Sequence, residues 1–114
     1  MDHDVNLNIH YTLPDDLWEK VSDVYVSMPY WAGNEQGPCW RAENIDLTAS
    51  VEPGGIQIYG KMPGEIWESW YAELKRKLTT ALGYEIGEPE DGYDFRYFDR
   101  ETVEWRSGGM EYEL

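Results

Sequence analysis

Hydrophobic residues in this chain recur with two different periods, and the order of those periods limits the possible folds. Residues 5–13 alternate between apolar and polar side chains, and so do residues 45–52 and 56–61. Period two is typical of a β-strand with one buried face. Residues 14–28 and 63–83 instead carry apolar side chains at three- and four-residue spacing, which is typical of amphipathic helices. The sequence therefore predicts strands and helices in mixed order.

Prolines and a glycine mark the limits of both predicted helices. Pro14 and Pro63 suit a first helical turn, because the proline ring fixes φ near the helical value. Pro29 cannot continue the first helix, and Gly83 suits the position just after the second. Both helices are thus predicted with definite ends.

The connections complete the predicted order of elements. Pro53-Gly54 fits the centre of a type II turn, with Gly54 at positive φ, and predicts a hairpin. Residues 29–44 have no period and are rich in Pro, Gly and Asn, so we predict a long loop there. Residues 84–87 are predicted as a short fourth strand.

The resulting order is β-α-β-β-α-β, which is that of a ferredoxin-like two-layer sandwich. We therefore predict one α+β domain over residues 1–114, with an antiparallel sheet and both helices on one face. Residues 88–114 are acidic and aromatic. We expect them to form a C-terminal extension that packs on the domain, as a further hairpin across the open face of the sheet.

The charge balance limits the partners of this chain. It has 23 acidic and 9 basic residues, for a net charge of −14. Nucleic-acid binders need the opposite sign, and an anionic membrane surface would repel such a chain. Two interpretations remain: the acidity serves solubility, or it attracts a cationic protein.

The N-terminal residues and the single cysteine bear on the compartment. Cys39 has no partner within the chain for a disulfide, which favours a reducing compartment. The first residues resemble no signal peptide, and no segment approaches the ~20 apolar residues of a membrane span. We expect a cytoplasmic protein, monomeric by default.

No segment carries a known catalytic or cofactor-binding motif, so we predict a protein that is not an enzyme and needs no metal or cofactor. His10 and Asp46 fall on the polar face of the predicted sheet and form a candidate acid–base pair, although alternation alone places polar residues there. Cys39 has only His3 and His10 as candidate bases. The acidic residues after position 87 do not have the spacing of a calcium-binding loop.

Aromatic and acidic residues outside the predicted core give the best indication of function. Trp, Tyr and Arg are enriched at the energetic centres of protein interfaces. The predicted loop contains two tryptophans, and the extension begins with a run of acids. An alternative is that the loop folds back and places its tryptophans at the edge of the core. The predicted partner-binding residues are Trp31, Trp40, Glu88, Glu90, Asp91, Asp94 and Asp99.

Three segments add a resemblance to a known class of proteins. The sequences MPYWAG, ASVEPGGIQIYG and LGYEIGEPEDGYDF lie between residues 25 and 98. Together with the small size, the acidity and the α+β pattern, they resemble bacterial immunity proteins of polymorphic and contact-dependent toxin systems. The resemblance implies a protein that binds and neutralises a cognate toxin, often a basic nuclease. It carries no functional residues over to this chain.

The sequence thus favours an immunity-type protein that occludes the active or substrate-binding site of a cognate basic toxin. One alternative is a nucleic-acid mimic that inhibits a DNA- or RNA-binding protein, which would need its acids along one elongated face. Another alternative is a small enzyme that uses His10 and Asp46 on the polar sheet face.

Overall fold

The computed structural model describes residues 2–33, 37–93, 96–99 and 104–107, the last two ranges as backbone only. Two α-helices, seven strands and one short 3-10 turn occur in these ranges. Their bounds are β1 Asp2–Leu7, α1 Asp15–Ser27, β2 Trp31–Gly33, β3 Cys39–Ala42, β4 Ile45–Glu52, β5 Gly55–Lys61, α2 Gly64–Leu82, the 3-10 turn Pro89–Asp91, β6 Arg96–Asp99 and β7 Glu104–Ser107.

Five of the strands form one antiparallel sheet in the order β1-β5-β4-β3-β2. The predicted α+β class is therefore confirmed. The ferredoxin-like arrangement is not confirmed, because two strands, β2 and β3, form within the predicted loop 29–44. Strands of three and four residues are too short to show a period in the sequence.

Both helices begin and end where the sequence predicts. Helix α1 follows Pro14 and stops before Pro29, and α2 ends at Gly83, whose φ of 85° is in the left-handed region. The helices pack on the same face of the sheet. The indole of Trp40 in β3 lies against Tyr25 of α1 and Trp70 of α2, with ring centroids 5.2 and 5.1 Å apart.

The hairpin between β4 and β5 is present, but its turn differs from the predicted type. The positive φ falls on Gly55, at 122°, and not on Gly54. The type II turn predicted at Pro53-Gly54 is therefore wrong. The left-handed glycine comes one residue later, where it pairs with Glu52 at the start of β5.

Strand β1 is shorter than the predicted strand over residues 5–13, because Asn8 leaves the sheet and is completely buried. Its side chain donates to the carbonyl oxygen of Glu85 and accepts from the amide of Gly87, both at 2.9 Å. The hydroxyl of Tyr84 donates to the Asn8 carbonyl oxygen at 2.7 Å. The segment predicted as a fourth strand is thus held by a side chain and is not a strand.

The core lies between the sheet and the helices. Its fully buried members come from most of the described elements and include Leu7, Ile9, Val21, Trp40, Leu47, Ile56, Ile58, Met62, Leu74 and Leu78. Strands β6 and β7 pair only with each other, as a separate two-stranded sheet. Neither described helix is long and apolar enough to cross a membrane.

Candidate partner-binding site

Trp40, which the sequence predicts to be a partner-binding anchor, is fully buried in the core. Its indole N–H donates to the carbonyl oxygen of Tyr25 at 3.1 Å. A side chain in this position offers nothing to a partner, so the structure corrects the prediction. Trp40 instead agrees with the alternative interpretation, in which the loop folds back and places its tryptophans at the core.

Trp31 is half-buried on β2, at one edge of the sheet. One face of its indole meets Trp40 at 5.8 Å in an edge-to-face contact. The rest of the ring extends the core to the surface. Of the two predicted aromatic anchors, Trp31 alone has a surface that a partner can reach.

The predicted acidic residues differ in how firmly they are held. Glu88 is half-buried and accepts a hydrogen bond from the Tyr71 hydroxyl at 3.0 Å, whereas Glu90 and Asp91 are exposed on the 3-10 turn. Asp94 lies outside the described residues. Asp99 ends β6, and its side chain is also outside them.

The structure does not bring Trp31 and the Glu88–Asp91 segment together directly. Glu88 follows the segment fixed to Asn8, beside β1, and Trp31 is on β2 at the opposite edge of the sheet. Four strand spacings separate the two edges, or roughly 19 Å. The described members of the predicted site therefore do not form one patch.

A chain of aromatic contacts joins the two regions through the helix layer. Tyr71 stacks on Trp67 at 4.6 Å, and Trp67 stacks on Trp70 at 5.9 Å. Trp70 meets Trp40, which in turn meets Trp31. Burial raises the pKa of the Tyr71 hydroxyl, and the negative charge of Glu88 raises it further. The stacked rings of Trp67, Trp70 and Tyr71 thus help to hold α2 against Trp40 of the sheet.

The candidate acid–base pair is also separated. Asp46 shares a cross-strand row with Lys61 and Asp2, at the first residue of β1, and it accepts from Arg41 at 3.1 Å. His10 follows the other end of β1 and contacts Thr12. The six residues of β1 alone span roughly 17 Å, so His10 and Asp46 are not within reach of each other.

Other candidate reactive groups are dispersed as well. The buried thiol of Cys39 donates to the carbonyl oxygen of Gly33 at 3.4 Å. The ring of His3 stacks on Trp67 at 4.0 Å, and its Nε2 lies 2.9 Å from the Met62 carbonyl oxygen. No group of three or more His, Cys, Asp or Glu side chains in the described ranges is placed to hold a metal ion.

Sequence reasoning missed an apolar cleft of about 380 Å³ between α1 and the end of β4, which we call the α1–β4 cleft. Its volume is within the usual range of ligand and anchor pockets. It is lined by Trp18, Val21, Ser22, Tyr25, Gly37, Pro38, Thr48, Ala49, Ser50, Val51 and Tyr59. Val51 and Tyr59 are large hydrophobic residues that remain exposed, at 51% and 41%.

Acidic groups border this cleft. Residues three and four apart share a helix flank, so Asp15 and Glu19 lie on the same side of α1 as the lining residues Trp18 and Ser22. Glu52 follows Val51 at the end of β4 and accepts from the Ser50 hydroxyl at 2.9 Å. All three of these carboxylates belong to exposed residues.

The basic residues of the helices lie elsewhere. Lys20 lines a separate groove between α1 and α2, together with Arg76 and Lys77. None of the described residues that line the α1–β4 cleft is a lysine or an arginine. The cleft therefore combines an apolar floor with a negative border.

Comparison with known proteins adds no relative: no family model, no curated protein and no solved structure matches this chain.

Proposed function

We propose that this chain is an immunity-type protein that binds a cognate basic toxin domain and neutralises it by covering the toxin's active or substrate-binding site. The observation that carries the proposal is an acidic surface with little internal compensation. The net charge is −14. Among the described carboxylates, only those of Asp46 and Glu73 form ion pairs with described basic side chains.

Such a surface supports recognition of a cation-rich protein for a physical reason. Uncompensated carboxylates create a long-range negative potential, which raises the rate at which a basic partner meets the surface in a productive orientation. It also disfavours acidic partners and nucleic acids. The charge thus raises the association rate and selects the partner, and apolar contacts then slow dissociation.

The exposed acids after α2 are well placed for this role because their segment is fixed before any partner arrives. Glu88 is bound by Tyr71, and the preceding residues are bound to Asn8 through Gly87 and Glu85. A fixed segment loses little conformational freedom on binding, so more of its interaction energy appears as affinity. Glu90 and Asp91 then extend from a rigid base.

The proposed compartment is the cytoplasm. Cys39 is a free thiol buried between strands, as expected of a chain that folds under reducing conditions.

The proposal is tested by co-expression with the protein encoded immediately upstream. We expect that protein to be toxic alone and harmless together with this chain. The Trp40→Ala variant serves as the control, because a less stable core lowers the amount of folded inhibitor and should weaken protection. A neighbour that is harmless by itself, or that remains toxic in the presence of this chain, would contradict the proposal.

A further inference from the structure

The α1–β4 cleft has the size and the lining of a pocket for a side chain. A cavity of ~150 Å³ lined by aliphatic and aromatic groups accepts a benzene ring. The cleft, at about 380 Å³, therefore holds one large aliphatic or aromatic side chain with space left for its backbone. Trp18 and Tyr25 on α1 and Ala49 and Val51 on β4 supply apolar surface on opposite sides.

The charges at the border of the cleft determine which residues of a partner can lie next to the side chain that enters it. Asp15, Glu19 and Glu52 are exposed, and none of them forms an ion pair with another described residue. A cation placed beside the cleft meets several carboxylates, and the described lining residues include no lysine or arginine to compete with it. The chemistry of the border is therefore complementary to lysine or arginine.

We propose that the α1–β4 cleft is the docking pocket for one bulky apolar side chain of a basic protein partner, flanked in that partner by lysine or arginine. The proposal rests on the proposed function only in taking the partner to be a basic protein. It assigns binding to a surface that contains neither Trp31 nor Trp40.

The position of the cleft is compatible with a contribution from the acidic segment after α2. Leu7, Ile56 and Val51 lie in one cross-strand row, so the end of β1 and the cleft border the same end of the sheet. Strands β1 and β4 are two spacings apart, or about 10 Å. An interface of ordinary size, ~800 Å² on each partner, covers both regions.

The first test uses three pentapeptides and the ¹⁵N-labelled full chain, observed by NMR. The probes are Lys-Lys-Leu-Lys-Lys, Lys-Lys-Ser-Lys-Lys and Gly-Gly-Leu-Gly-Gly, with blocked termini. We expect the first peptide to shift the amides of Ala49 and Val51 and the indole N–H of Trp18 in a saturable way. Each of the other two should bind about tenfold more weakly or worse, because one lacks the apolar side chain and the other lacks the cations.

Two variants provide the matched comparison. Ser22→Lys places a cation on the lining of the cleft, whereas Ser69→Lys places one on an exposed position of α2. We expect the first to abolish binding of Lys-Lys-Leu-Lys-Lys and the second to leave it nearly unchanged. Equal binding of the leucine and serine peptides, or shifts confined to residues 88–91, would overturn the assignment, as would an unaffected Ser22→Lys variant.

The co-expression assay separates this proposal from the proposed function. If the chain protects against its neighbour, Ser22→Lys should lose protection and Ser69→Lys should keep it. Protection by both variants would overturn the docking pocket and leave the immunity function standing. If the chain gives no protection at all, the immunity function fails, and the peptide titration decides the docking pocket by itself.

Discussion

The indole N–H of Trp40 donates a hydrogen bond across 3.1 Å to the carbonyl oxygen of Tyr25, in the last turn of α1. The same carbonyl oxygen also accepts from the Met28 amide at 3.2 Å, so the indole adds a second hydrogen bond at the end of the helix. It also fixes β3 to α1. The two rings meet edge to face, at 87° between planes, which is a favourable arrangement for aromatic pairs.

Replacement of Trp40 is therefore expected to reduce stability and not to act on a partner directly. Trp40→Ala should lower the free energy of unfolding by about 3–5 kcal/mol, the usual cost for a buried tryptophan. Trp31→Ala should cost clearly less, because Trp31 is only half-buried. Urea denaturation of both variants checks this order, and a larger loss for Trp31→Ala would contradict it.

Asn8 is the second residue whose loss should destabilise the fold. Asn8→Ala removes one buried and one partly buried hydrogen bond and leaves the buried Gly87 amide without its side-chain acceptor, at a cost of about 1–3 kcal/mol. The control is Asn6→Ala, on the exposed side of β1, which should change stability by less than ~0.5 kcal/mol. Equal urea midpoints of unfolding for the two variants would show that the hydrogen bonds of the Asn8 side chain contribute little to stability.

The sequence predicted those parts of the fold whose signals are local. The prolines before each helix and the glycine after α2 define the helix ends, and alternation defines β4 and β5. Strands β2 and β3 were missed because they are short and depend on pairing, of β3 with β4 and of β2 with β3, which no local pattern records. Tyr84 and Ile86 have the burial that alternation predicts, but the Asn8 side chain binds the backbone of their neighbours Glu85 and Gly87 in place of a strand partner.

The candidate site was less predictable than the fold for the same physical reason. Composition indicated an acidic protein, and that property needs no structure. The α1–β4 cleft, in contrast, exists because α1 crosses beside the end of β4, with Gly37 and Pro38 at its border. Trp18 and Val51 are 33 positions apart in the sequence. No spacing rule connects them.

Stability is expected to fall at alkaline pH because of Tyr71. Burial and the Glu88 carboxylate raise the pKa of Tyr71 above its ordinary value, about 10 in an unfolded chain. Above that pH the unfolded state releases a proton that the folded state retains, so the free energy of unfolding decreases as pH rises. Below it the stabilisation is fully present. Burial raises the pKa of Tyr25 in the same direction.

Two variants isolate the contribution of Tyr71. Tyr71→Phe should make the decline of stability above about pH 10 shallower. Glu88→Gln keeps an acceptor for the hydroxyl but removes the charge, so its decline should be intermediate. Urea denaturation at several alkaline pH values, together with tyrosinate absorbance, measures both. If the free energy of unfolding of Tyr71→Phe falls with pH as steeply as that of the unchanged protein, groups other than Tyr71 cause the loss of stability at alkaline pH.

The last prediction concerns the effect of salt on association with the toxin. A basic partner should associate much faster than the ~10⁵ to 10⁶ M⁻¹s⁻¹ of neutral pairs at low salt. The Debye length falls from about 30 Å at 0.01 M to about 10 Å at 0.1 M, so the association rate should fall steeply over this range. Dissociation should change less, because apolar contacts hold the docked complex. Stopped-flow mixing measures both rates.

Charge-neutralising variants locate the carboxylates that matter. Replacing Glu88, Glu90 and Asp91 by their amides should slow association at low salt and reduce its salt dependence. A control set replaces the exposed residues Glu43, Glu65 and Glu68 and changes the net charge by the same amount. If the acidic segment after α2 faces the partner, the first set should slow association more, because salt screens the charges that lie further from the partner. Association that does not respond to salt would mean that the acidity serves solubility, and the argument for a basic partner would fail.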